Sequence, residues 1–201
     1  MGEFMKFEML ADSIKEINVK AGNIAKCAVN QLMTLRNWAI GYYIVEYEQG
    51  GSDRASYGTR LLKNLEEQIS EKGMNSTLFK WCRQFYLLYP QIGAAVSHQF
   101  GLPYFEKSAT ASHQFETKPE LLLNNLSFSH IRELLVIADD FERFFYETEC
   151  IKCNWTVREL RRQIKTNLYI RAGISKKPEL LLQETMGHPD STMLTIKDPF
   201  T

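Results

Sequence analysis

Apolar residues recur three and four positions apart in run after run of this 201-residue chain, and no stretch alternates apolar with polar residues strongly enough to read as a strand. That periodicity commits the chain to helices that each bury one face. The length suits one domain with a real core, or a domain plus a tail. Hydrophobic residues make up 44% of the sequence, enough for the amphipathic faces to close on one another. The expected fold class is mainly α.

Gly2-Glu3-Phe4 ahead of Met5 reads as a cloning scar, so residues 1–4 are set aside and Met5 is taken as the native start. Phe7, Leu10, Ile14 and Ile17 form one helical run, and Ala28, Leu32, Leu35, Ala39 and Tyr42 another. They imply a long N-terminal helix, bent or broken near Asn18, Gly22 and Asn23 and ended by Gln49-Gly50-Gly51-Ser52. A second helix is expected over 57–72, carrying Leu61, Leu62, Leu65 and Ile69 inward. Gly73 stops it, Asn75-Ser76 offers a new N-cap, and Pro90 stops the third helix.

Residues 91–126 are rich in Gly, Ser, Ala, Thr and His, with SHQF at 97–100 and again at 112–115; they read as an irregular excursion. Leu126-Ser127-Phe128-Ser129 caps a helix over 131–138, and Asp139-Asp140 caps another over 141–153. The last strong helix opens at 154. Thr156 and Glu159 have capping-box spacing, Trp155 and Leu160 that of a hydrophobic staple, and Gly173 is expected to end the helix. The helical domain is thus expected over 5–173, and 174–201, with three prolines, reads as a linker or tail.

On a helical wheel of the segment 74–90, Leu78, Trp81, Cys82, Phe85, Leu88 and Tyr89 gather on the core side. Ser76, Lys80, Arg83, Gln84 and Leu87 gather opposite. Arg matches guanine edges, Gln matches adenine, and Lys and Ser reach phosphate, so this stripe is a candidate DNA-binding face. With the preceding helix and the turn Gly73-Met74-Asn75 it has helix-turn-helix proportions. A merely solvated face explains the pattern equally well by spacing alone.

In the last helix Val157, Leu160, Ile164 and Leu168 form the apolar stripe. Arg158, Arg162 and Lys165 stack beside it at i, i+4 and i+7, with Tyr169 continuing the line. Formal net charge is zero, yet 154–177 holds seven basic residues against one acidic, while 139–153 holds five acidic against two basic. Such segregation fits a surface for a polyanion or an acidic partner. Mutual pairing of the two consecutive helices fits it as well.

No P-loop, dinucleotide fingerprint, H-E-x-x-H or G-x-S-x-G is present. The C-x-x-C of Cys150 and Cys153 lacks a second ligand pair, so inert thiols in a reducing cytoplasm are favoured, with no metal and no cofactor expected. His130 sits beside a helix cap, where a structural role is favoured over catalysis. No apolar run is long enough to span a bilayer.

The phrases NWAIGYYIVEYEQGG at 37–51, RASYGTRLLKNL at 54–65 and FKWCRQFYLLYP at 79–90 resemble the N-terminal domain of the bacterial YhcG family. So do LSFSHIRELL at 126–135, ERFFYETECIKCNWTVRELRRQI at 142–164 and LYIR at 168–171. Phe128 stands where many relatives carry Trp, and 91–126 matches nothing in the family. The resemblance implies a helical, DNA-binding N-terminal domain that precedes a PD-(D/E)xK nuclease domain. IKDPF at 196–200 resembles the lead-in to that second domain. His188-Pro189-Asp190 supplies a Pro-Asp, but the 11 residues after Asp190 cannot complete a nuclease metal site.

These features together predict a non-catalytic DNA-binding module, with Ser76, Lys80, Arg83, Gln84, Arg158, Arg162 and Lys165 at the interface and a nuclease domain as its partner in the full-length protein. The rival expectation is a protein-interaction or dimerisation module. There the N-terminal helix, with Trp38, Tyr42, Tyr43 and Tyr47, would pair between chains as a homodimer or dock the nuclease domain.

Overall fold

A computed structural model describes residues 7–49, 60–101 and 117–173. The expected cloning scar at 1–4 and tail at 174–201 lie outside the described residues. All regular structure among the described residues is helical. They divide between two compact units, 7–101 in the first and 117–173 in the second.

The first unit begins with α1, Phe7–Gln49, followed by α2, Leu61–Ile69, and α3, Ser76–Leu88. A 3-10 turn, Pro90–Ile92, leads into α4, Gly93–Phe100. The break expected near Asn18, Gly22 and Asn23 does not occur, and α1 passes through all three. Gly and Asn lower helix propensity, Gly by about 1 kcal/mol, but both keep the backbone N–H that a proline would remove. The first apolar run stands in solvent: Phe7 is 83% exposed, Ile14 59% and Ile17 67%. Burial along α1 becomes continuous only near Thr34 and Leu35.

From there α1 packs on α3. A Cβ added at Gly41 would lie 2.0 Å from the Cys82 carbonyl oxygen and 3.0 Å from Tyr86 Cβ, so the two backbones meet where only glycine fits. Trp38, 1% exposed, donates its indole N–H to the Tyr89 carbonyl at 2.8 Å. That bond ties α1 to the end of α3 just before Pro90, which starts the 3-10 turn without needing an N–H of its own. Ile44, Leu61 and Phe79 close a core cluster with Leu62 and Leu65 packed against it, whereas Ile69, expected inward, is 42% exposed.

In the second unit α5 is Pro119–Asn125, α6 Phe128–Leu134, α7 Asp140–Lys152, α8 Val157–Lys165 and α9 Leu168–Arg171. Two parts of the expected irregular excursion are therefore helical, α4 and α5, while 102–116 lies outside the described residues. The single last helix is also corrected. Asn167 takes a left-handed conformation (φ 51°) between α8 and α9, and Gly173 (φ 72°) follows α9. Phe145, Tyr146, Leu134, Ile131 and Leu160 form the buried centre. Tyr146 is bonded at its hydroxyl, donating to the Gln163 carbonyl at 3.4 Å and accepting from the Tyr169 N–H at 3.3 Å.

His130 fastens two elements. Its Nδ1 accepts from the Ser127 N–H at 3.1 Å, and its Nε2 lies 3.0 Å from the Trp155 carbonyl. An accepting Nδ1 requires the neutral tautomer with its proton on Nε2, which then donates to Trp155. Burial lowers the His130 pKa and so favours the same neutral form.

Candidate nucleic-acid interface

The start of α8 is set by local chemistry. Thr156 donates its N–H to Glu159 Oε2 at 2.7 Å and its hydroxyl to the same oxygen at 2.8 Å, while the Glu159 N–H donates to Thr156 Oγ1 at 3.3 Å. These bonds, the Thr156 N–H first, hold the Glu159 carboxyl below its usual pKa. Leu160 is fully buried and fixes the rotation of the helix. Arg161, beside it, reaches Glu133 of α6 through two bonds, Nε at 3.0 Å and Nη2 at 2.6 Å.

That rotation turns Arg158, Arg162 and Lys165 outward, and all three are exposed. None forms a hydrogen bond or ion pair with a described residue; Arg162 and Lys165 act only at longer range, on Glu159 and Glu133. The stripe runs roughly 10 Å along the helix axis. One strand of B-DNA presents a phosphate every 3.4 Å of its axis, so such a stripe is long enough to meet neighbouring phosphates.

Pairing between the acidic and basic helices is the competing explanation. Carboxylates of α7 have local uses. Asp139 caps the helix by accepting from the Glu142 N–H at 2.7 Å, Asp140 pairs with Arg143, and Glu147 accepts from the Thr117 hydroxyl at 2.7 Å. Tyr169 does not continue the cationic line. Its ring packs 5.5 Å from Phe145 and 6.2 Å from Phe141, centroid to centroid, on the core side.

The α3 face is more committed. Asn75 caps the helix by accepting from the Leu78 N–H at 2.8 Å. Ser76 donates its backbone N–H to Glu66 Oε2 at 2.9 Å, and with the Ser76 hydroxyl this lowers the Glu66 pKa. Arg83 donates Nε to Glu48 Oε2 at 2.7 Å. Lys80 is exposed and Gln84 half-buried. Six residues, 70–75, join α2 to α3, a longer connection than the three-residue turn expected between them. Cys82 and Phe85 are fully buried as expected, and Phe79, absent from the expected core side, is 1% exposed. Glu48 and Glu66 were invisible to sequence reading as partners, because they come from other helices. The α3 and α8 sets also belong to different units.

Among the described residues no three His, Cys, Asp or Glu side chains gather as metal ligands would. No disulfide joins the cysteines, and burial pushes the Cys82 and Cys150 thiols up to about 12. No helix of the described residues is long and apolar enough to cross a membrane.

A mainly helical protein with a capped, outward-facing cationic helix is the class these observations define. The chain belongs to the family described as the DUF1016 N-terminal domain, whose model matches residues 13–171. It is similar to the "Putative nuclease YhcG" of Escherichia coli (strain K12), with 31% identity over 207 residues, 96% of this chain and 54% of that one. The chain thus spans about half the length of that relative, and no solved structure matches it.

Proposed function

We propose that the chain is a non-catalytic, cytoplasmic DNA-binding module, the N-terminal part of a YhcG-like nuclease whose catalytic domain lies further along the full-length protein. The observation that carries this reading is the exposed stripe of Arg158, Arg162 and Lys165, which has no carboxylate partner among the described residues. Three cations held on one rigid helix face favour a polyanion over a small acid. On α3, Lys80 and Gln84 would add contacts at the duplex. Ser76 would join them only by exchanging Glu66, and Arg83 only by exchanging Glu48, for phosphate or base.

Fluorescence anisotropy with labelled duplex across a salt series tests the reading. R158E/R162E/K165E should lose duplex affinity while keeping its helical content. Neutral substitutions should each flatten the log–log salt dependence by about 0.9 per phosphate contact removed. Wild-type affinity and an unchanged slope in the triple variant would overturn it.

A further inference from the structure

We infer that the exposed half of α1 is a self-pairing surface: residues 7–28 form an antiparallel two-helix coiled coil with a second copy of this chain. The spacing is the first argument. Phe7, Leu10, Ile14, Ile17, Ala21 and Ile24 follow alternating steps of three and four residues, the a and d positions of a heptad, and Ala28 extends them. The same register continues through Leu35, Trp38 and Val45, which are 6%, 1% and 3% exposed inside the first unit. The seam runs along the helix with one polar interruption, Gln31. Its C-terminal part is covered by the unit's own core, and its N-terminal part is open, with Leu10 44% and Ile24 70% exposed.

Most helical stability in proteins comes from packing an amphipathic face, and Asn18, Gly22 and Asn23 lower the intrinsic propensity of this unpacked half. Packing of the seam is the missing contribution. A contiguous apolar stripe left in water also marks an interaction site rather than ordinary surface.

Charge and side-chain size select the occupant. Residues 7–18 carry Glu8, Asp12 and Glu16 against one Lys15, whereas 19–31 carry Lys20 and Lys26 and no acid. An antiparallel second copy lays each acidic half along a basic half; a parallel one would set like charges together. The bulkier seam residues lie in the first half and the alanines in the second. Reversing the partner puts Leu10 across from Ala28 and Ile17 across from Ala21, with Ile14 across from Ile24 between them. Two-fold symmetry satisfies both matches at once.

Sedimentation equilibrium of the whole chain reads the result. The wild type should show twice the monomer mass, and I17E/I24E the monomer mass, with cooperative thermal unfolding retained because the arm lies outside the core of the first unit. Val19 is 59% exposed but off the seam, so V19E should remain dimeric. D12K/E16K and K20E/K26E should each associate weakly alone and recover the dimer when mixed. A wild type that stays monomeric at every concentration assigns the seam to another partner and overturns the inference. So does a dimer that survives I17E/I24E, or one that V19E breaks equally.

Discussion

Arg161 of α8 and Glu133 of α6 face each other fork to fork, with Nε to Oε2 at 3.0 Å and Nη2 to Oε1 at 2.6 Å. The pair sets the angle at which α8 meets its unit and leaves the next arginine, Arg162, pointing to solvent. Hydrogen bonding from Arg161 holds the Glu133 carboxyl below its ordinary pKa. A depressed folded-state pKa stabilises above the unfolded carboxylate value and is lost as pH falls through the folded value. Thermal melts of R161Q should therefore lie below wild type at neutral pH, and the gap should close in acid. A gap that is constant with pH would mean that the carboxylate is not what Arg161 supports.

His130 titrates in the opposite chemical sense but with the same direction in pH. Burial lowers its folded pKa beneath the ordinary 6.5, so the unfolded chain takes up the proton first. Its contribution is present above that ordinary value and declines as pH falls through the folded one. A proton on Nδ1 would also face the Ser127 N–H instead of accepting from it. Melting temperature should drop between neutral and mildly acid pH, and H130N should reduce that slope. Equal slopes in the two proteins would remove His130 as its source.

Gly41 has no room for a side chain. With a Cβ due 2.0 Å from the Cys82 oxygen, α1 and α3 must separate to admit G41A. Overpacking of this kind costs about 3 kcal/mol, and urea unfolding followed by Trp fluorescence would measure it. A loss below about 1 kcal/mol would mean that the helix pair separates without strain.

Thiol chemistry separates the cysteines by burial. Cys27 and Cys153 are exposed, while Cys82 and Cys150 are buried with thiols pushed up to about 12. Alkylation near neutral pH should modify Cys27 first and Cys153 more slowly, since burial and Glu149 raise the latter's pKa. Mass spectrometry should find Cys82 and Cys150 unmodified until the chain is denatured. Early labelling of either would contradict the packing of α3 or α7.

Glu48 restrains Arg83. If the α3 face meets DNA, E48Q should tighten duplex binding, because it releases a cation and removes a like charge from the phosphates' path. Unchanged affinity would exclude Arg83 from the contact.

Local rules wrote much of this molecule. The Asn75 cap, the Thr156–Glu159 box, the stop before Pro90 and the outward stripe of Arg158, Arg162 and Lys165 were all legible, since each depends on residues within two helical turns. Sequence alone fixed the helical class for the same reason: periodicity three to four is a property of neighbours. Tertiary structure decided which cations are spoken for. Glu48 lies 35 residues from Arg83 and Glu133 lies 28 from Arg161, and no spacing rule reaches across such intervals. It also decided which apolar residues are core, burying Trp38 against Tyr89 while leaving Ile14 and Ile17 in water. A hydrophobic face states that it needs a partner, but only the folded chain shows whether that partner lies within the same molecule.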